Sequence, residues 1–365
     1  MQVDGTLQQG PLGGIRVVEF AGIGPLPHCG MMLADLGAEV LSIERPGGRL
    51  QPPNAALDRG RHRLMLDLAE PADAALASDA ASKADVVMEG FRPGVMERLG
   101  LGPDELCSRN ERLIYARLTG WGQDGPLAQT AGHDINYLAV TGALAALGKP
   151  GEAPPPPLNL VGDYGGGSMF CLVGILAALV EREKSGKGQV VDAAIVDGVV
   201  SMLAMFNAQG SPRAISTERN ANLLGGAAPF YRCYACADGR YIAVGALEEK
   251  FWAALLAPLG ISAAAFGPRF DPTYWPAQAS QLEAIFATRT AAEWGATYAG
   301  TDACVTMVAT IEEAHATPHL AERGALTDGG AVRQPAPAPR LSRTPGTIRA
   351  AAEDGRDVIA RWVKG

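Results

Sequence analysis

Strand-like apolar runs separated by helical stretches occupy the first half of the chain. The apolar runs are residues 15–20, 39–43, 85–88 and 113–118, and helical patterns lie between and after them. A strand, a helix and a second strand in succession form a βαβ unit, whose two strands are parallel. The pattern therefore predicts an α/β fold with a parallel sheet that carries helices on both faces.

The pattern changes near residue 210. Residues 228–246 contain two strand-like runs around the turn Ala237-Asp238-Gly239-Arg240, which predicts a hairpin. Helical stretches follow at 248–258 and 278–298, and a final helix is expected at 350–363. The resulting division is a large domain over 1–205, a linker over 206–221, a small α+β domain over 222–320 and a last segment over 321–365.

Composition narrows the class of protein. Of the 365 residues, 47% are hydrophobic and 19% are charged, which is typical of a globular chain and excludes disorder as its main state. The net charge of −8 argues against a general nucleic-acid binder, because such proteins need a basic surface. The longest apolar run, 169–180, is shorter than the roughly 20 residues of a membrane span. Since 1–10 carries no secretory signal and no targeting tripeptide ends the chain, we expect a cytoplasmic protein without a membrane span.

The cysteines indicate neither a disulfide scaffold nor a metal site. Six cysteines are spread over the chain, and only Cys233 and Cys236 form a CxxC pair. A zinc site needs four ligands, and no second such pair lies nearby. Residues i and i+3 of a strand face opposite sides, so we expect no metal at this pair.

The loop after the first strand invites a dinucleotide-binding interpretation. Its sequence is Gly22-Ile23-Gly24-Pro25-Leu26-Pro27, and Glu44 ends the second strand where a ribose-binding acid would lie. Pro27 replaces the third glycine of GxGxxG, so only half of the fingerprint is present. An NAD-dependent oxidoreductase is therefore a weakened alternative, although such a loop can hold another adenine nucleotide.

Eight short segments, in order along nearly the whole chain, together resemble a known family. The segments are 14–19, 35–40, 89–94, 119–123, 132–137, 159–163, 186–192 and 339–343. They resemble the family III CoA-transferase superfamily, and within it the bacterial-type branch of racemases that act on 2-methylacyl-CoA thioesters. The ordered set is far more specific than any one motif.

The resemblance implies a fold and an activity. Members are interlocked homodimers, and each subunit has a Rossmann-like large domain built from both chain ends plus a smaller α+β domain. The last segment, 321–365, would then complete the large domain. The implied reaction inverts C2 of an acyl-CoA thioester by 1,1-proton transfer through an enolate. CoA is part of the substrate, and the chemistry needs no metal or other cofactor.

His133 and Asp163 are the candidate acid and base. Removing a proton beside a thioester carbonyl requires a base on one face of the carbon, an acid on the other and donors for the enolate oxygen. His133 opens the helical pattern 135–147, and Asp163 precedes a glycine triplet and the helical pattern 168–184. From position alone, each could equally be a cap or turn residue. The resemblance assigns both to proton transfer, with either acting as acid or base.

Two neighbours complete the predicted catalytic group. We expect the Asp134 backbone N–H to hold the thioester oxygen, because it lies at a helix start. The resemblance assigns Glu248 a supporting role, in which its carboxylate orients the catalytic imidazole across the dimer interface. From the sequence alone, Glu248 could instead be the N-cap acid of the following helix, and Glu249 is adjacent.

Arginines mark the predicted CoA site, because their planar donors suit phosphates. Arg92 follows the strand that ends at 88, on the sheet edge where ligands bind in open α/β folds. Ala69 departs from the family, in which some members carry a basic residue there. The residues that the resemblance assigns to CoA binding are Ile23, Arg45, Leu66, Asp67, Leu68, Ala69, Gly90, Phe91, Arg92, Arg98, Gly132, Asn136 and Tyr137.

A CoA-transferase of the same family is the nearest alternative. In such enzymes the aspartate that matches Asp163 is a nucleophile that forms an acyl anhydride, and no opposed histidine is needed. A protein that only binds CoA or a partner is a further alternative. The Gly132-His133-Asp134 motif together with Glu248 favours proton transfer over both.

Overall fold

Six parallel strands form the central sheet. They are β1 (Arg16–Phe20), β2 (Glu39–Glu44), β3 (Arg61–Met65), β4 (Val86–Glu89), β5 (Ile114–Thr119) and β6 (Val190–Ala194). Their spatial order is β3-β2-β1-β4-β5-β6, and every neighbouring pair is parallel. The order reverses direction between β1 and β4, as in dinucleotide-binding folds. The predicted α/β fold with a parallel sheet is confirmed.

Two strands of the central sheet have no counterpart in the sequence prediction. β3 is the charged pentapeptide Arg61-His62-Arg63-Leu64-Met65, and β6 carries Asp192 at its centre. Both lie at the edges of the sheet. Edge strands bury fewer positions than central strands and tolerate charged side chains, so their apolar signal is weak.

The computed structural model describes residues 10–47, 53–207, 218–329, 332–350 and 354–364. It divides the chain into a first unit of residues 1–141, 157–202 and 321–365 and a second unit of residues 142–156 and 203–320. The sequence division put 142–156 in the large domain, but Arg219 of the second unit donates hydrogen bonds to the carbonyl oxygens of Ala145 and Glu152. Most of the predicted linker, 206–221, lies outside the described residues.

Helices cover the sheet of the first unit. Three of them have proline in the first turn, where the missing N–H costs no hydrogen bond. The helices are α1 (Pro25–Asp35), α2 (Pro71–Ser82), α3 (Val95–Arg98), α4 (Pro103–Arg109), α5 (Asp134–Val140), α6 (Phe170–Ser185) and α7 (Ile195–Met202). A π-helical segment, Leu160–Met169, runs directly into α6. The helix predicted over 135–147 is shorter, since α5 ends at Val140 and only a 3₁₀ turn, Leu144–Ala146, follows.

The helix predicted over 168–184 begins earlier in the structure and is much longer than the apolar run 169–180. Together the π-helical segment and α6 extend from Leu160 to Ser185, 26 residues, with 44% of the most apolar window buried. By length and composition this helix could cross a membrane, so the absence of a membrane span stays a prediction. A core helix of a soluble protein meets the same criterion, so the helix carries no argument for a membrane.

The second unit contains a small antiparallel sheet and several helices. Strands β7 (Tyr231–Ala235) and β8 (Tyr241–Gly245) form the predicted hairpin. The helix predicted over 278–298 is two helices, because Thr290 starts a new one with a capping box. The remaining elements are α8 (Ala204–Asn207), α9 (Glu249–Leu256), α10 (Ala263–Phe266), α11 (Trp275–Phe286), α12 (Ala291–Tyr298), β9 (Val305–Met307) and α13 (Ile311–Ala314).

The end of the chain returns to the first unit. Its elements are α14 (Pro318–Glu322), β10 (Leu326–Gly329), β11 (Val332–Pro335) and α15 (Gly355–Lys364). Trp362 of α15 is fully buried in the same apolar cluster as Val18 and Leu41 of the sheet. Its indole N–H donates a 2.7 Å hydrogen bond to Glu39. Of the helix predicted over 350–363, residues 351–353 lie outside the described residues.

Candidate active site

The strand order places a crevice at the carboxyl ends of β1 and β4. Chains that leave two neighbouring strands in opposite directions open such a crevice, and ligands bind there in open α/β folds. A cavity of about 350 Å³ lies at this point. Its lining includes Ile23, Gly24, Pro25, Gly90, Phe91, Arg92, Trp121, Gly132, His133, Tyr137 and Asp163.

His133 is presented to this cavity by the residues around it. It precedes α5 with an extended backbone, and its N–H donates a 3.0 Å hydrogen bond to the side chain of Asn136. The hydroxyl of Tyr137 donates a 2.5 Å hydrogen bond to the carbonyl oxygen of Gly132. Trp121 packs edge-on against Tyr137, with ring centroids 4.8 Å apart. These contacts fix the backbone on both sides of His133. The side chain of His133 itself is exposed.

Asp163 lies in the π-helical segment. The wider turn of a π-helix is frequent at functional sites, and here the Tyr164 N–H donates to the carbonyl oxygen of Asn159, five residues earlier. The segment packs closely on α7, where a Cβ at Gly166 would lie 2.9 Å from the carbonyl oxygen of Ile195. The glycine triplet therefore allows the irregular helix that carries the aspartate to lie against its neighbour.

Asp134 connects the two candidate groups. Its carboxylate accepts a 2.6 Å hydrogen bond from the backbone N–H of Asp163 and another from Gly162. The pKa of Asp163 is raised to about 6, mainly by burial and also by the negative charge of Asp134, while His133 opposes this rise. A carboxylic acid that titrates there can hold or release a proton near neutral pH.

Gly24 brings the first loop against the carboxylate of Asp163. Its φ is +69°, and a Cβ at this position would lie 2.8 Å from Asp163 Oδ2. Sequence reasoning treated this glycine only as part of a phosphate-loop fingerprint. The signal that could have marked it is a glycine directly before Pro25 at the start of α1, because glycine readily adopts the positive φ found there.

A second cavity of about 560 Å³ lies beside the first and shares Phe91 with it. Five more residues assigned to CoA line it, namely Arg45, Leu66, Asp67, Leu68 and Ala69. Sequence reasoning missed its buried ion pair, in which Arg61 donates at 2.7 Å to Glu19. Neither residue matched a motif with an assigned role, because their pairing is made by the tertiary structure.

Two assigned residues lie elsewhere. Arg98 is the last residue of α3, and it is exposed and absent from the lining of both cavities. Glu248 belongs to the second unit, where it occupies the N-cap position of α9 without a side-chain capping hydrogen bond. Its carbonyl oxygen accepts a 3.1 Å hydrogen bond from Arg269, whereas the carboxylate of the neighbouring Glu249 lies 3.4 Å from that guanidinium. Arg269 therefore forms an ion pair with Glu249 and a hydrogen bond with the backbone of Glu248, and the charges of both carboxylates act on it.

Comparison with known proteins places the chain in a family. The family model described as CoA-transferase family III matches residues 12–357, and the chain belongs to this family. The chain is 46% identical to the α-methylacyl-CoA racemase of Mus musculus over 92% of its own length and 87% of the relative. It is 44% identical to that of Homo sapiens over the same shares. The family resemblance expected from the eight segments is confirmed.

A solved structure supports the same conclusion for the fold. A CAIB/BAIF family protein from Brucella suis superposes with a TM-score of 0.83 at 27% identity, covering 97% of this chain and all of that one. The mixed α/β architecture around a parallel sheet is therefore that of this family.

Proposed function

We propose that this protein is a racemase that inverts C2 of 2-methylacyl-CoA thioesters. The observation that carries the proposal is that His133 and Asp163 line one cavity while the pKa of Asp163 is raised to about 6. An imidazole and a carboxyl group can each donate or accept a proton, so the two groups can exchange the roles of acid and base. The likeness to two racemases over 92% of the chain supports this activity.

The proposed reaction is a proton transfer through an enolate. One of the pair removes the C2 proton from one face, and the other returns a proton to the opposite face. Between these steps the thioester oxygen carries negative charge, and the backbone N–H of Asp134, at the start of α5, is proposed to receive it. Because acid, base and hydrogen-bond donor suffice for this chemistry, we propose that no cofactor takes part and that CoA belongs to the substrate.

We propose that the two cavities divide the substrate between them. The 350 Å³ cavity holds the thioester beside His133, and Arg92 at its rim offers planar donors to a phosphate. The 560 Å³ cavity, with Arg45 and the turn Leu66–Ala69 in its lining, receives the adenine nucleotide end. Phe91 lines both cavities and so marks the passage that the pantetheine arm would follow.

Glu248 is proposed as the residue that orients the imidazole of His133 in the assembled enzyme. A carboxylate bonded to a histidine fixes its tautomer and stabilises its cation. Glu248 suits this role better than Glu249, since the latter lies beside Arg269. The missing cap hydrogen bond at Glu248 also argues against the alternative that it serves only α9.

A homodimer is proposed from the surface of α6. The side chains of Phe170, Val173 and Val180 lie on one stripe of this helix and are 37%, 58% and 63% exposed. Contiguous exposed apolar surface of this kind marks protein interfaces. Light scattering should report a mass twice the 38.0 kDa of one chain. The Val173→Lys variant should give a mass closer to that of a single chain.

The function is tested by incubating one epimer of a 2-methylacyl-CoA in D₂O and following C2 by NMR. We expect loss of the C2 proton signal together with appearance of the other epimer. His133→Ala should abolish inversion, whereas His319→Ala, on an exposed helix position, should not. Transfer of CoA to an added carboxylate without C2 exchange would instead identify a CoA-transferase that uses Asp163 as nucleophile.

A further inference from the structure

The carboxylate of Glu89 is fully buried and directly precedes the segment that carries Arg92, the arginine proposed to bind a phosphate. Glu89 ends β4 and is 0% exposed. One of its oxygens accepts a 2.6 Å hydrogen bond from the backbone N–H of Phe91, and the other accepts a 3.0 Å bond from Arg117 Nε. Both oxygens therefore act as acceptors, and Phe91 and Arg92 follow directly in the cavity lining.

The hydrogen bonds continue to the far end of the same segment. Arg117 of β5 also donates a 2.8 Å hydrogen bond to Glu97 of α3. Glu89, Arg117 and Glu97 thus fix both ends of segment 90–97. The third guanidinium nitrogen, Arg117 Nη2, is buried and has no partner among the described residues. Gln129 Nε2 donates a further 3.1 Å hydrogen bond to the carbonyl oxygen of Pro93 in the middle of the segment, whereas its start at Phe91 and Arg92 is held by the carboxylate of Glu89.

The environment of Glu89 favours protonation. Burial is the main cause that raises its pKa to about 7, while the Phe91 N–H and Arg117 oppose the rise and Glu97 adds to it. Two further groups face Arg117: Asp192, its neighbour on β6, and Tyr115 on β5, whose pKa is raised by burial and by Glu89. A protonated carboxyl group has one oxygen that donates, and neither Phe91 N–H nor Arg117 can accept from it.

We propose that Glu89 is a positioning residue whose protonation releases segment 90–97 and weakens acyl-CoA binding as the pH falls. This rests on the proposed function, in which Arg92 binds a phosphate of CoA. The effect is on binding, because Glu89 touches neither reacting carbon nor thioester. It is separate from the titration of Asp163, which governs proton transfer in the same cavity.

Equilibrium binding of CoA itself tests the proposal without turnover. Isothermal titration calorimetry between pH 5.5 and 8.5 should show the Kd of the wild-type protein rising by up to about tenfold per pH unit below the midpoint, the limit for one linked proton. Glu89→Gln keeps the shape of the side chain but offers one acceptor, like the protonated acid. It should bind weakly at pH 8.5 and lack the wild-type pH dependence. Titration of the CoA phosphate cancels in the comparison of the two proteins.

A second variant covers the case in which Glu89→Gln does not fold. Glu97 is 42% exposed in its side chain, so Glu97→Gln should fold normally. Removing its charge lowers the pKa of Glu89, and the midpoint of the CoA-binding curve should move to lower pH. A purely structural role of Glu89 would leave the midpoint in place.

Three outcomes separate the hypotheses. A wild-type Kd that does not change with pH beyond the ligand's own titration overturns the role of Glu89 and leaves the racemase proposal intact. The role of Glu89 is also overturned if Glu89→Gln binds CoA tightly at pH 8.5 with the wild-type pH dependence. It is overturned too if the midpoint of the binding curve is unchanged in Glu97→Gln. Absence of CoA binding at every pH contradicts both proposals.

Discussion

The backbone N–H of Asp163 donates a 2.6 Å hydrogen bond to the carboxylate of Asp134, 29 residues earlier in the chain. Asp134 thus holds the backbone of Asp163, and its negative charge also acts on the carboxyl group of Asp163. The first effect fixes where Asp163 lies in the π-helical turn. The second makes its proton harder to remove, since a second negative charge nearby disfavours ionisation.

Asp134→Asn should shift the pH dependence of catalysis. When Asp163 is the base, it must be ionised, so C2 exchange rises as the pH passes its pKa of about 6. Asparagine keeps an acceptor for the Asp163 N–H but removes the negative charge. The pH at which C2 exchange rises should therefore fall by about one unit. Deuterium incorporation at C2, followed across pH, measures the shift. Asp104→Asn, on the exposed surface of α4, should leave the profile in place.

Gly24→Ala should inactivate the enzyme without unfolding it. The backbone at Gly24, with a φ of +69° and a ψ of −119°, lies outside the regions open to other residues, so the substitution costs about 1–3 kcal/mol, and its Cβ meets Asp163 Oδ2. Gly186→Ala is the control for a positive φ alone, because Gly186 is in the left-handed region and has no atom near the position of its Cβ. Both variants should lose stability on urea unfolding, Gly24→Ala the more, while only Gly24→Ala loses C2 exchange under conditions in which both are folded. Equal activity in the two would show that the contact with Asp163 does not matter.

Arg92→Ala should weaken substrate binding more than catalysis. A hydrogen bond to a charged group contributes about 1.5–3 kcal/mol, which corresponds to a KM roughly 10- to 100-fold higher. Steady-state kinetics should show this rise with a smaller change in kcat. Arg112, which pairs on the surface with Glu183, gives the control variant Arg112→Ala. Arg98→Ala tests the residue outside the cavities, and a KM effect as large as that of Arg92→Ala would place the phosphates at α3.

Arg59→Met should destabilise the first unit. Arg59 pairs at 2.6 Å with Asp35, and the two side chains are 4% and 5% exposed. Breaking a buried pair leaves an uncompensated charge, and the expected loss is about 3–5 kcal/mol. Urea unfolding measures it, with Arg356→Met as a surface control.

The same variant should become more stable as the pH is lowered. Burial already raises the pKa of Asp35 although Arg59 opposes it, so removal of Arg59 raises that pKa further. A group with a raised pKa in the folded state binds more protons there than in the unfolded chain, and the stability falls as the pH rises. The variant should therefore recover part of its loss as the pH falls toward the unfolded value near 3.9. A loss that is independent of pH would mean that removal of Arg59 leaves the pKa of Asp35 in the folded protein unchanged.

The central strands and the motifs that line the candidate site could be predicted because their signals are local. β1, β2, β4 and β5 are rich in apolar residues, and the loops that follow parallel strands must meet at one sheet edge. Arg92 was placed on that edge from the sequence, and it lines the cavity there together with His133. Edge strands gave too little apolar signal.

The remaining features depend on contacts between distant parts of the chain. No periodicity distinguishes the π-helical turn at Asp163 from an ordinary helix start, because close packing against α7 and the bond to Asp134 hold it. The pairing of Glu89 with Arg117 likewise joins two strands. A motif can identify such residues by likeness, but their electrostatics follow only from the folded arrangement.

The burial of Trp362 in the core of the sheet has a consequence for the order of synthesis. Val18 and Leu41, its companions in that cluster, leave the ribosome more than 300 residues before it. The entire stretch 203–320 of the second unit emerges in between. During translation the apolar sheet face of the first unit therefore stays without α15 until the end of the chain emerges. By then the second unit is complete and free to fold. A nascent chain halted after residue 340 should accordingly be a substrate for chaperones that bind exposed apolar surface.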